Sequence, residues 1–309
     1  MENPLGNVSW VVAIVLAVFM WASLSMFPNY YRHKKVYLTI RIVLIIFLLF
    51  TQIERTVYLG GVHQKDFIDA ATNPNNPNYD VVQSAKNSGL YLNNAYEGQE
   101  WYQNPVNYFL LYFCSIAAWA TLIVLIFPSK KVMECFFPFM LMGPIVTFIF
   151  PTEKPLFWSW SNDHWDFINW FTFFFGHGCT LFGTMYIYLY GHTGYKFNKS
   201  AVVKSMVTGA IVVLGVETWN RFFGTKFITD DVIGALGLQN WSRFWVMFFL
   251  LTVGILYLSI GLSFAYFFKP IYEKGNEEKL HDTWWERFVE FTKLKYNQRK
   301  EKLSKIKQK

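Results

Sequence analysis

The sequence lacks the signature motifs of the commonest nucleotide-dependent, zinc-dependent and serine enzymes. It contains no glycine-rich phosphate loop, no dinucleotide-binding glycine fingerprint, no HExxH zinc motif and no GxSxG nucleophile elbow. His164 stands near Asp163 and Asp166, but no second histidine is close by in the sequence. We therefore expect neither a metal nor a cofactor.

Charged residues and cysteines are also scarce. Only 16% of the residues are charged, whereas 53% are hydrophobic and 20% are aromatic, which is too apolar for a soluble domain of 309 residues. The three cysteines, Cys114, Cys135 and Cys179, lie in or beside apolar stretches without metal-ligand spacing, so we expect no disulfide framework. The first apolar run follows no basic residue and precedes no cleavage site, which indicates a retained span.

Seven apolar segments predict an all-α membrane protein, a bundle of seven transmembrane helices. Each segment is long enough to cross a hydrocarbon core of roughly 30 Å. The loops after the first, third and fifth segments are basic and those before the third and fifth are mainly acidic, so we predict the N-terminus outside and the C-terminus in the cytoplasm. The segments are residues 8–27, 36–58, 105–127, 132–150, 166–190, 201–222 and 244–268.

Two further segments complete the predicted organisation. Within the transmembrane domain, residues 1–268, an Asn-rich extracellular loop covers residues 60–104. The basic cytoplasmic tail, residues 269–309, has aromatic residues at helical spacing, which favours an amphipathic helix bound to anionic headgroups on the inner leaflet. A solvated charged tail is the alternative. The net charge of +7 indicates topology and anionic lipid, and we expect no nucleic-acid partner.

A histidine, His177, lies near the middle of the fifth segment. Lipid offers no partner to an imidazole, and ionisable residues inside spans usually face a cavity or a partner. Thr180, Thr184 and Tyr188 follow at helical spacing, so we expect this face to point into the protein. The structural alternative is a histidine that only packs against a neighbouring helix.

Cys114 is predicted at nearly the same depth as His177. At about 1.5 Å per residue, the cysteine lies about 14 Å and the histidine about 17 Å below the outer ends of their spans. Equal depth is required for a Cys–His pair, in which the imidazole takes the thiol proton and the thiolate attacks an acyl carbonyl. The alternative is that Cys114 is a small buried apolar residue.

Charged groups gather at the predicted outer ends of two spans. Glu217, Asn220 and Arg221 share one face of the sixth span, and Glu54 and Arg55 end the second. Opposite charges there could simply neutralise each other. Alternatively, Arg221 or Arg55 could bind a phosphate headgroup while Glu217 or Asn220 orients His177.

Several short stretches resemble a known family. They are YFCSI with Cys114, TFIFP with Pro151, FFFGHG with His177, and Asn220 followed by Gly224 and Thr225. From the third to the seventh span, the sequence resembles the YwaF-like integral membrane proteins of bacteria. These are related to the animal transmembrane protein 164 type of cysteine-dependent phospholipid acyltransferases. The resemblance implies a seven-helix bundle and, for the animal relatives, acyl transfer through a cysteine.

The leading hypothesis is a multi-pass enzyme of the cell membrane that transfers or hydrolyses phospholipid acyl chains. Cys114 would be the nucleophile and His177 the general base, with Glu217 or Asn220 orienting the imidazole. A non-catalytic protein that binds or transports lipids or small molecules is the main alternative, and a scaffold acting through its tail is another. The expected partners are membrane phospholipids. The predicted substrate-binding residues are Arg221, Arg55, Glu54, Thr180 and Thr184.

Overall fold

The protein is mainly helical in the part that the computed structural model describes, which is residues 4–57, 73–75, 111–149, 168, 170–223, 227–228, 240–275 and 278–307. Within these ranges, extended pairing is limited to an isolated antiparallel bridge between Tyr272 and Lys279. The helices are α1 (Pro4–Met26), α2 (Pro28–Arg32), α3 (Lys34–Val57), α4 (Phe113–Ile126), α5 (Lys130–Ile149), a π-helical turn (Phe171–Phe175), α6 (Gly176–Leu189), α7 (Lys199–Phe223), α8 (Arg243–Phe267) and α9 (Trp284–Lys307).

A helix lies in each of the seven predicted apolar segments. Among the described residues, five helices are long and apolar enough to cross a membrane, namely α1, α3, α5, α7 and α8. The apolar helix α4 is shorter, with 14 residues, and α6 continues the π-helical turn. The predicted extracellular loop, residues 60–104, lies outside the described residues except for residues 73–75.

Helix α5 is the centre of the bundle, because α4, α6, α7 and α8 all pack against it. Small residues allow these close approaches. A Cβ atom on Gly143 would lie 3.1 Å from the Cβ of Ala117 in α4. A Cβ atom on Gly261 of α8 would lie only 2.7 Å from the Cβ of Pro138 in α5. The bundle therefore brings α4 and α8 to the same central helix.

The outer faces of the long helices carry exposed apolar side chains, which identify the surface that contacts lipid. Phe19 on α1, Ile46 on α3, Ile211 on α7 and Phe267 on α8 are all exposed. An apolar exterior of this extent is unusual for a soluble monomer and suits the hydrocarbon interior of a bilayer. With five helices long enough to span, the chain is a multi-pass membrane protein.

The segment after α8 returns to the bundle before α9 begins. The N–H groups of Ile271 and Tyr272 both donate to the carbonyl of Leu189, at 2.7 and 3.2 Å. Thr283 and Glu286 form a reciprocal capping box at the start of α9, with N–H donation in both directions at 3.0 and 3.2 Å. The Thr283 hydroxyl also donates to the carbonyl of Ser25 in α1, at 2.8 Å. The tail thus contains a helix whose first residues are bonded to the bundle.

Candidate functional site

A cavity between α3, α4 and α6 contains both residues of the predicted Cys–His pair. The cavity is small, and part of its space is open to the outside. Cys114 enters from α4 and His177 from α6. The structure therefore brings these two residues to one cavity. Its lining residues are Thr51, Gln52, Cys114, Ala118, Thr172, Gly176, His177 and Thr180.

The imidazole of His177 is 6% exposed and is held in one tautomer. Its Nδ1 is hydrogen-bonded to the carbonyl of Phe173. A carbonyl only accepts, so Nδ1 carries the proton, and in the neutral ring Nε2 has a free lone pair. No residue in the described part of the chain hydrogen-bonds Nε2. His177 thus has the protonation pattern that a general base requires.

The π-helical turn lies immediately before this histidine. Such turns are rare, and they often occur at functional sites because they change the face that side chains occupy. Phe173, whose carbonyl accepts from His177, belongs to this turn. Thr172 of the same turn lines the cavity and donates its hydroxyl to the carbonyl of Ile168, at 2.8 Å. The turn therefore supplies one wall of the cavity and the acceptor that orients the imidazole.

Close packing of α3 against α6 forms the opposite wall. A Cβ atom on Gly176 would lie 3.4 Å from Cγ2 of Thr51, so the two helices are in van der Waals contact here. Thr51 and Gln52 are both buried, although they lie near the end of a helix. Gln52, Thr51 and Thr172 were not predicted as site residues. The spacing of Thr172, Gly176 and Thr180, four residues apart, is the sequence signal that could have identified this face.

Cys114 is the second residue of α4, where the helix supports a negative charge on sulfur. Tyr112 is the N-cap and the helix begins at Phe113. The positive end of the helix dipole stabilises an anion at such a position. Cys114 is half-buried and lines the cavity. Cys135 is equally half-buried but does not line the cavity, and Cys179 is buried. Position therefore distinguishes Cys114 from the other two cysteines.

Asn220 binds a neighbouring backbone segment. Its Nδ2 donates to the carbonyl of Phe227 at 2.8 Å, and its Oδ1 accepts from the N–H of Phe227 at 3.1 Å. The Phe227 ring packs edge-on against Tyr112, with 5.0 Å between the ring centroids. The described hydrogen bonds of Asn220 thus hold the segment that packs against the start of α4. Its predicted role in orienting His177 stays a prediction.

Three of the predicted charged residues, Glu217, Arg221 and Glu54, are not among the residues that line the cavity. Glu217 is buried and accepts a hydrogen bond of 3.1 Å from Arg221, whose side chain is 67% exposed. Such a pair, with one partner largely in solvent, contributes little to stability. Glu54 is half-buried, and the side chain of Arg55 lies outside the described residues.

The two predicted threonines differ in position. Thr180 lines the cavity and donates to the carbonyl of Gly176, at 2.9 Å. Thr184 is fully buried one turn further along and is 3.0 Å from the hydroxyl of Thr121 in α4. This pair links α4 to α6 beyond the cavity. Among the described residues, no group of three or more His, Cys, Asp or Glu side chains could hold a metal ion.

Comparison with known proteins identifies the family. A search of the curated proteins and a search of the solved structures found no match. The family model described as the TMEM164 family matches residues 88–262, which is more than half of the 309 residues and includes Cys114, His177 and Asn220. This match confirms the predicted relation to the transmembrane protein 164 type and does not extend to the YwaF-like name. The chain therefore belongs to the TMEM164 family.

Proposed function

We propose that this protein is a phospholipid acyltransferase or transacylase in which Cys114 is the nucleophile and His177 the general base. The observation that carries the proposal is that both side chains line one cavity, although they lie on different helices. The tautomer of His177 and the position of Cys114 at the start of α4 add further support.

In the first half-reaction, the Cys114 thiol gives its proton to Nε2 of His177. The thiolate attacks the ester carbonyl carbon of a phospholipid and a tetrahedral intermediate forms. The ester C–O bond then breaks, and the leaving glycerol oxygen takes the proton from the imidazolium. The products are a lysophospholipid and a thioester on Cys114.

In the second half-reaction, the hydroxyl of an acceptor lysophospholipid gives its proton to Nε2 of His177. Its oxygen attacks the thioester carbonyl, the C–S bond breaks, and the Cys114 thiolate recovers the proton from the imidazolium. Water in place of the lysophospholipid would give hydrolysis. The polar side chains of Gln52, Thr51 and Thr180 in the cavity wall suit an ester group better than an acyl chain.

The remaining predicted residues take supporting roles in this proposal. Arg221, Arg55 and Glu54 would meet the lipid headgroup at the outer end of the bundle. Thr184 would keep α6 in place against α4, as its contact with Thr121 indicates. Asn220 would hold the start of α4 through Phe227, and Glu217 would anchor Arg221.

The topology that accompanies this function has seven spans in residues 1–268, an outer N-terminus and a cytoplasmic tail over residues 269–309, in the cell membrane. The charge alternation of the loops supports this orientation. The helices α4 and α6 would then be the third and fifth spans. Helix α9 would lie on the inner leaflet and bind anionic headgroups.

Acyl exchange by the purified protein in lipid nanodiscs tests the proposal. The nanodiscs contain a phospholipid with an isotope-labelled acyl chain and an unlabelled lysophospholipid, and mass spectrometry follows the label. We expect Cys114→Ala to abolish transfer, because neither Cys135 nor Cys179 lines the cavity in which the thioester would form. We expect His177→Gln to reduce transfer by about 100-fold or more, the range typical of a general base.

The other cysteines provide the matched controls. Cys135→Ala removes a thiol of similar exposure away from the cavity and should leave the rate unchanged. A labelled acyl group on Cys114 that hydroxylamine releases would identify the intermediate. Undiminished transfer by Cys114→Ala would exclude the nucleophile. Absence of transfer in the wild type, with lipid binding that depends on His177, would favour the non-catalytic lipid-binding alternative.

A further inference from the structure

Tyr257 of α8 reaches the start of α4 from the side of α5. Its ring stacks on that of Phe113, with 5.9 Å between the centroids and 24° between the planes. It also contacts Phe139 of α5, at 6.3 Å between the centroids. Phe113 directly precedes Cys114, and the Tyr257 hydroxyl lies close enough for a negative charge on the Cys114 sulfur to act on it. Two aromatic contacts therefore fix this hydroxyl near the proposed nucleophile.

The hydroxyl of Tyr257 is buried and has no hydrogen-bond partner within the described ranges. Three other buried tyrosine hydroxyls are satisfied by backbone carbonyls, since Tyr186 bonds to Tyr31, Tyr188 to Ala265 and Tyr190 to Leu24. The buried hydroxyl of Tyr195 shares the lack of a partner in the described part of the chain, but Tyr257 is the one next to the start of α4. A buried hydroxyl without a partner reduces stability, so its presence calls for a physical reason.

On the basis of the function proposed above, we propose that Tyr257 is a positioning residue that donates a hydrogen bond to the Cys114 sulfur when the thiolate forms. A neutral thiol is a weak acceptor, whereas a thiolate is a strong, charged one. The hydroxyl is thus unpaired in the resting protein and paired in the activated one.

In this proposal three groups activate Cys114, namely His177, the start of α4 and Tyr257. The proton of the thiol moves to Nε2 of His177, while Tyr257 keeps its own proton and only donates a hydrogen bond. The start of α4 stabilises the same charge through its dipole. Tyr257 comes from α8, so the nucleophile depends on the packing of a helix whose described side chains do not line the cavity.

The test uses Tyr257→Phe in the full chain, reconstituted in lipid nanodiscs. The rate at which N-ethylmaleimide alkylates Cys114 is measured by mass spectrometry, with Cys135 in the same digest as internal reference. We expect alkylation of Cys114 to slow about tenfold, the effect of losing one hydrogen bond to a charged group. Thermal stability should be unchanged or higher, because the ring stays in place and an unpaired buried hydroxyl is removed.

Slower alkylation without a loss of thermal stability distinguishes activation from structural support. Tyr266→Phe, on the same helix with a side chain that is 58% exposed, is the matched control and should change neither quantity. Unchanged alkylation in Tyr257→Phe, or equal losses of stability and alkylation, would overturn the inference. Slower alkylation in a protein that transfers no acyl group would uphold the role of Tyr257 and refute the proposed function.

Discussion

The imidazole of His192 is half-buried among aromatic and cationic side chains just after α6. Its ring stacks on Tyr37, with 3.9 Å between the centroids. Burial, and then the charges of Arg32 and Arg41, lower its pKa from 6.5 to about 4. Its Nε2 has no hydrogen-bond partner among the residues described. This histidine therefore stays neutral in the folded protein at physiological pH.

Acid should destabilise the protein through His192. Because its pKa is lower in the folded state, the unfolded chain binds this proton more readily. The stability that the neutral ring contributes is complete above about pH 6.5 and declines as the pH falls towards about 4. We expect His192→Gln to flatten the dependence of the melting temperature on pH across that window, measured in detergent. His33→Gln, at an exposed position, should retain the wild-type slope, and equal slopes in both variants would contradict the prediction.

The sequence identifies some residues of the candidate site and misses others for a physical reason. Cys114 and His177 are conspicuous because a thiol and an imidazole interrupt apolar runs. Tyr257 gives no such signal, since tyrosines are frequent in these spans and its neighbours are set by how α8 crosses α5. Asn220 is visible as a polar residue, but its bonds to Phe227 depend on the turn that follows α7. Contacts between distant segments decide these roles.

At the scale of the helices, the packing of α8 on α5 depends on a single glycine. A Cβ atom at position 261 would lie 2.7 Å from Pro138 and 2.9 Å from Met142, closer than real Cβ contacts. The proline ring belongs to the central helix and cannot rotate away. Gly261 therefore allows the short distance between α8 and α5. That distance in turn brings Tyr257 of α8 into contact with Phe113 and Phe139.

Gly261→Ala should destabilise the bundle by about 1–3 kcal/mol, the usual cost of an overpacked contact. Thermal unfolding in detergent measures this effect, and slower alkylation of Cys114 should accompany it if α8 shifts. Gly254→Ala on the same helix is the matched control, because nothing lies within 4 Å of its added Cβ. It should be neutral or stabilising, since alanine is the better helix former. Equal effects of the two substitutions would refute the packing argument.

The apolar runs predict the helices well and their irregularities poorly. Length and hydrophobicity locate the helices to within a few residues where the chain is described. The π-helical turn at Phe171–Phe175 is not predictable from its sequence, because five apolar or small side chains suit an α-helix equally. We attribute the π-helical hydrogen bonding of this turn to contacts with other helices. One such contact is the hydrogen bond that the Trp170 ring donates to the carbonyl of Ser9, at 3.2 Å.

At the scale of the whole molecule, α9 carries an apolar stripe that the described part of the bundle leaves exposed. Trp284, Phe288 and Phe291 lie at helical spacing and are all exposed, while Thr283 and Glu286 cap the first turn. Basic residues follow along the rest of the helix. Such a helix is suited to the interface between headgroups and acyl chains of an anionic leaflet.

A fluorescent amino acid that is sensitive to polarity, placed at position 291 in the full chain, tests this arrangement. Its emission should shift to the blue in nanodiscs that contain anionic lipid. The shift should decrease at high salt, because salt screens the attraction of the basic residues. The same label at Lys293, on the opposite side of the helix, should respond much less. Identical responses at the two positions would show that α9 does not lie with its aromatic face on the membrane.

The π-helical turn before His177 has a consequence for the permitted length of this segment. Successive residues of a helix are rotated by about 100° around its axis. An additional residue in one turn therefore rotates the side chains before that turn relative to the side chains after it. Trp170 and its bond to Ser9 are on one side of that offset, and His177 and Thr180 are on the other. In a related chain that is one residue shorter here, the two sides would be rotated relative to each other by about 100°. Such a chain would lose either the Trp170–Ser9 hydrogen bond to α1 or the direction of the imidazole into the cavity. Among relatives, insertions and deletions in residues 170–177 should therefore be rarer than substitutions of their aromatic side chains.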